Sequence, residues 1–222
     1  MDSNFWFEKA FLDFGITPKL FPFVPGNYDQ DRYIYLASHN PNEGLVDAAE
    51  RGIGPLMYYF INRGARDYNS ALISAARGGY LDIVKAMVSL GARDYNNAIV
   101  AAARNGHMAI VEYISEININ NNNYNPIMIA AAEGGYTNIV KLMLEKGAKD
   151  SNTAMVVAAS KGHVGVVELL IERGVSPYFI LDQPELYPPI VVNVVRHAAQ
   201  KVYGGKRKRD EDMAESGKYA RY

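Results

Sequence analysis

Four histidines, His39, His107, His163 and His197, are the side chains best suited to proton transfer or metal binding near neutral pH. None stands in H-E-x-x-H or another close ligand set. Cysteine is absent, which removes thiol catalysis, disulfide frameworks and thiolate-ligated zinc. The glycines form turn pairs, and neither a G-x-G-x-x-G phosphate cradle nor a G-x-S-x-G nucleophile elbow occurs. Asp210-Glu211-Asp212 gathers carboxylates, but in a charged tail too loose to be a platform for acid–base work. No cofactor or metal is expected, and no constellation supports an enzyme.

Composition narrows the class further. The chain has 222 residues and 49% hydrophobic content, enough for one buried unit or one elongated array. Lys plus Arg is 23 against 24 Asp plus Glu, a net charge of -1, which argues against bulk-charge binding to nucleic acid. No run reaches the ~18 apolar residues of a transmembrane helix. The first residues lack the basic start and apolar core of a secretory signal, and there is no Asn-x-Ser/Thr sequon. These absences favour a cytoplasmic location, with the nucleus as the other compartment.

What positions the side chains is a repeat. Ala-Ala-x-x-Gly recurs with its first alanine at Ala48, Ala75, Ala102, Ala131 and Ala158, in steps of 27, 27, 29 and 27 residues. Ile83-Val84, Ile110-Val111, Ile139-Val140 and Val166-Val167 keep the same beat. So do Gly64-Ala65, Gly91-Ala92, Gly147-Ala148 and Gly174-Val175. His107 and His163 share one repeat position two units apart, so each is expected to bond the backbone of a neighbouring loop rather than to share a site.

Each cycle predicts two short helices. In the second cycle Ser70 is the expected N-cap of a helix over 71–77, and Gly78-Gly79 breaks it. Helix 81–89 follows, with Leu81, Val84, Met87 and Val88 on one face. Paired alanines let neighbouring helices approach closely, and one such hairpin buries its apolar face only by stacking. Leucine-rich repeats have a similar period but need an L-x-x-L-x-L strand, which is missing. Tetratricopeptide and HEAT units are longer.

These residues resemble the ankyrin repeat. Thr153-Ala154-Met155-Val156-Val157-Ala158-Ala159 is similar to the family's T-P-L-H-x-A-A start, and Gly106-His107 and Gly162-His163 are similar to its G-H pair. The unit is 27 residues against about 33 in the family. The missing residues are those of the β-hairpin finger, replaced by Arg66-Asp67-Tyr68-Asn69, Arg93-Asp94-Tyr95-Asn96 and Lys149-Asp150-Ser151-Asn152. Short units of this kind look similar to arrays encoded by large DNA viruses. The resemblance implies an all-α ankyrin-type solenoid of about five shortened repeats over 41–178, working as a monomeric, non-enzymatic protein-binding module. It places the concave contact surface at Arg77, Arg104, Asn105, Glu133, Ser160 and Lys161. Its rim would hold Arg66, Tyr68, Arg93, Tyr95 and Lys149.

The ends depart from the repeat. Residues 1–40 are aromatic-rich, with Phe5, Trp6, Phe7, Phe11 and Phe14, and read as an N-terminal cap. The other reading makes them a recruiting element of an adaptor that delivers clients to a ubiquitin ligase or similar machine. Segment 179–203 reads as a closing helix, with Ile190, Val191, Val194, Val195, Ala198 and Val202 at helical spacing. Residues 204–222 form a flexible charged tail, in which Lys206-Arg207-Lys208-Arg209 is a candidate nuclear localisation signal. The third link, 116–124, holds two extra residues. In it Asn118 stands where other links have glycine, a place where asparagine tolerates left-handed backbone.

Overall fold

The computed structural model describes residues 39–118 and 123–201. The expected N-terminal cap, most of the asparagine-rich insertion and the tail with Lys206, Arg207, Lys208 and Arg209 lie outside the described residues, apart from His39 and Asn40. The chain divides into two compact units on either side of the insertion, and the regular structure of the described residues is all helical.

Unit 1 contains α1 (Pro41–Glu50), α2 (Gly54–Asn62), α3 (Tyr68–Gly78), α4 (Leu81–Ser89), α5 (Tyr95–Arg104) and α6 (Met108–Ile117). Unit 2 contains α7 (Asn125–Gly134), α8 (Thr137–Glu145), α9 (Ser151–Lys161), α10 (Val164–Glu172), α11 (Tyr178–Asp182) and a 3-10 turn, Pro184–Leu186. Residues 189–201, here α12, are also helical. Within unit 1 the first helices α1, α3 and α5 pack side by side, and α2, α4 and α6 each pack against their own first helix. Unit 2 repeats the arrangement with α7 beside α9 and α8 beside α10. The paired alanines are at these contacts: Ala48, Ala49, Ala75, Ala76, Ala102 and Ala103 in unit 1, and Ala131, Ala132, Ala158 and Ala159 in unit 2, are fully buried.

The helix starts differ from expectation. Asp67, not Ser70, caps α3: its Oδ1 accepts from the Ser70 amide at 3.1 Å, and the helix begins at Tyr68. Asp94 does the same for Asn97 at 3.3 Å, and Asp150 for Thr153 at 3.3 Å. Each Asp has non-helical backbone, so its carboxylate can turn back onto the free amides of the first turn. Gly79, Gly135 and Gly162 end their helices with φ between 80° and 85°, a left-handed conformation that costs glycine little. Asn118 does not use that conformation: its φ is -102°, and its Nδ2 instead donates to Asn96 Oδ1 at 3.1 Å.

Two faces are rotated from the sequence reading. On α4 the buried stripe is Ile83, Val84 and Met87, while Leu81 and Val88 are half-buried. On α12, Val191, Val192, Val195 and Ala199 are buried, whereas Ile190 is 62% exposed. The Pro188 carbonyl accepts from the amides of Val191 and Val192, so the helix is already turning at Pro189 and its first turn carries Ile190 to solvent.

The first helix pair matches its bulkiest side chain to a glycine. Gly44, Ala71, Ala98, Ile127 and Ala154 share one repeat position on the first helices, and Phe60, Met87, Ile114, Met143 and Leu170 share one on the second. The bulkiest of the latter, Phe60, faces the one glycine. A Cβ on Gly44 would come within 2.2 Å of Phe60 Cε1 and Cζ. Alanine there would gain ~1 kcal/mol of helix propensity but lose about 1–3 kcal/mol to overpacking, so the clash decides the sign. Gly44→Ala is expected to lower the urea midpoint in the natural background. In a Phe60→Leu background the same change becomes neutral or stabilising, and denaturation of the four variants reads the coupling.

Ser115 is the exception to the pattern. It occupies the repeat position of Ile61, Val88, Leu144 and Ile171, and its Oγ is buried without a hydrogen-bond partner. An orphaned buried hydroxyl costs about 1–3 kcal/mol. Ser115→Val is expected to raise stability by ~1 kcal/mol, seen as a higher thermal midpoint.

Candidate partner-binding surface

The links carry the first group of candidate residues. Five residues, Arg63 to Asp67, connect α2 to α3, with Gly64 at φ 95° making the turn. Such a link has backbone amides and no sheet to satisfy them. Asn42 supplies the acceptor from the preceding repeat: its Oδ1 takes the amides of Arg66 at 2.7 Å and Asp67 at 3.0 Å. Asn69 holds Arg93 and Asp94 in the same way, at 2.8 and 3.1 Å. In unit 2, Asn125 holds Lys149 and Asp150 at 2.7 and 3.1 Å. At the equivalent of Asp150 in the last link stands Pro177, which has no N–H to give.

The link side chains divide by role. Arg66 is exposed, yet its Nη1 donates back to the carbonyls of Ile61 at 2.9 Å and Ala65 at 2.6 Å. Arg93 repeats this with Val88 at 3.1 Å and Ala92 at 2.7 Å. Both cap the C-terminal end of a second helix, where a cation is favoured. Lys149 is exposed, and Tyr68 and Tyr95 are half-buried as the first residues of α3 and α5. Burial first, then the neighbouring Tyr95, raise the Tyr113 hydroxyl above the ordinary tyrosine range. Lys85 Nζ lies 5.6 Å from the centre of that ring.

The second group sits where the first helices end. In unit 1, Arg77, Arg104 and Asn105 are exposed. Arg77 Nη1 reaches Glu50 Oε1, its equivalent one repeat earlier, at 3.5 Å. Both side chains are about half exposed, so the pair adds little stability. Asn105 Nδ2 donates to the Ala101 carbonyl at 2.9 Å. In unit 2, Ser160 and Lys161 are exposed and Glu133 is half-buried, and Ser160 Oγ donates to the Val157 carbonyl at 2.8 Å.

Two histidines fix the backbone at the helix ends near Arg77 and Glu133. His107 Nε2 lies 2.9 Å from the Arg77 carbonyl and His163 Nε2 2.9 Å from the Glu133 carbonyl, so each ring donates from Nε2. The rings fit only over glycine: a Cβ on Gly79 would stand 2.6 Å from the His107 ring, and one on Gly135 would stand 2.7 Å from His163 Nδ1. In the described residues no three His, Asp or Glu side chains are grouped to hold a metal ion. No described helix is long and apolar enough to cross a membrane.

A family model described as Ankyrin repeats (3 copies) matches residues 35–123 and 99–179, well over half of the chain. The chain belongs to the ankyrin repeat family. No curated protein matches it. The helix pairs, alanine contacts and glycine turns described above are the ankyrin unit, with the finger reduced to a five-residue link in the first two repeats.

The asparagine clamps of this ankyrin chain were missed among the candidate residues, although a signal was present. Asn42, Asn69, Asn96, Asn125 and Asn152 follow the alanine beat, and asparagine side chains are also common in turns for local reasons. Asn69→Ala leaves the amides of Arg93 and Asp94 without their acceptor and is expected to cost about 1–3 kcal/mol. Asn69→Asp keeps an acceptor oxygen and should lose less; thermal melts of both variants check the order.

Proposed function

We propose that the chain is a non-enzymatic protein-interaction module that acts as a monomer and presents the ends of its first helices, with the adjoining links, to a protein partner. The observation that carries this reading is the helix end at Arg77. The side chain is exposed, while its carbonyl is held by His107. Arg104, Asn105, Ser160 and Lys161 occupy matching exposed positions. The buried core draws on none of these side chains, so they are free to vary with the partner. A backbone fixed before binding loses little entropy on association, which favours recognition by a few exposed polar groups. Membership of the ankyrin family supports binding of protein rather than of a small substrate.

The test uses proximity labelling in the native cell to recover the partner, followed by capture of that partner with purified chain. Arg77→Glu with Arg104→Glu is expected to abolish capture and to move stability by less than ~1 kcal/mol, since exposed pairs contribute little. Undiminished capture by the double variant would refute the surface.

A further inference from the structure

We propose that Arg66 and Arg93 together read two carboxylates on an extended acidic segment of the partner. This rests on the interaction-module reading and names the chemistry of one part of it. Among the unit 1 arginines, Arg51 pairs with Asp47, Arg77 with Glu50, and Arg63 lies over the Tyr59 ring. Among the described residues, Arg66 and Arg93 meet no carboxylate at ion-pair distance, although both are exposed. The aspartates beside them do not supply one: Asp67 and Asp94 turn their carboxylates to the first turns of α3 and α5.

Each guanidinium is also held still. Two N–H groups of Nη1 are bonded to backbone carbonyls, at the same two positions in both repeats. Nε and Nη2 make no hydrogen bond among the described residues, so each side chain offers the donor fork that binds a carboxylate through two parallel bonds. Helix capping alone does not explain the choice of arginine. In unit 2 the same position is Lys149, and that link is clamped by Asn125 with the same geometry. A link therefore forms without a guanidinium.

The spacing sets the ligand. The two arginines stand one repeat apart, and adjacent packed helices lie about 8–10 Å apart. In a polyproline II segment, with three residues per turn and ~3.1 Å per residue, side chains three residues apart share a face at about 9 Å. Two acids with two residues between them, in an extended segment, therefore match the pair.

The probe is a short, fluorescein-labelled proline-rich peptide carrying two glutamates three residues apart, titrated with the full chain by anisotropy. Wild type is expected to bind, more weakly as salt rises. Replacing both glutamates by glutamine, or placing them adjacent, should weaken binding by about tenfold or more. Arg66→Lys with Arg93→Lys keeps the charge but loses the fork, and should show the same loss with unchanged helix content. Equal binding of the glutamine peptide, equal binding by the lysine variant, or no binding by wild type overturns the proposal. Arg77→Glu with Arg104→Glu separates the two readings. If partner capture depends on that pair while the acidic peptide does not bind, the acidic-segment proposal alone fails. If the peptide reads Arg66 and Arg93 while capture survives the Arg77 and Arg104 reversal, the assignment of the helix-end row alone fails.

Discussion

A link of five residues between two helices has amide groups that need acceptors and no strand to provide them. In three repeats one asparagine oxygen meets that need. Asn42, Asn69 and Asn125 each take two successive amides of the following link, 24 and 25 residues on in sequence. With the link fixed, the next residue starts a helix. The aspartate that ends the link, Asp67, Asp94 or Asp150, caps it. The clamp thus joins two repeats and sets the start of the second, which is why the unit tolerates the loss of its finger.

The same economy governs the other edge. Glycine in left-handed backbone makes room for a ring from the next repeat: Tyr80 over Gly52, His107 over Gly79, His163 over Gly135. Where the ring is histidine it also donates to a carbonyl near the helix end. Where the ring is histidine, the repeat is tied to a neighbour by hydrogen bonds at this edge too, and apolar contact between alanine pairs fills the space between. Exposed side chains at the helix ends, such as Arg77 and Lys161, contribute little to these ties.

Packing between helices of one repeat is less uniform than the alanine contacts. Phe60 is opposed to Gly44, while the repeat position of Gly44 carries alanine or isoleucine in the other pairs. Ser115 breaks the series with a buried hydroxyl, at the end of the helix that precedes the insertion.

The period, the helix pairs and their turns were legible in the sequence because each is written locally, in spacing, alanine pairs and glycines. The histidine contacts were legible for the same reason, since a shared repeat position implies a shared neighbour. Tertiary structure decided what depends on residues far apart in sequence. Ser70 and Asp67 are both good caps, and only the clamped link places Asp67 at the helix start. Ile190 and Val192 are both apolar, and only the entry at Pro189 decides which is buried. Arg66 and Arg93 read as simple rim cations until their guanidiniums are seen folded onto helix carbonyls. Spacing records which residues recur, but a donor's choice among several acceptors depends on which one the folded backbone brings within about 3 Å.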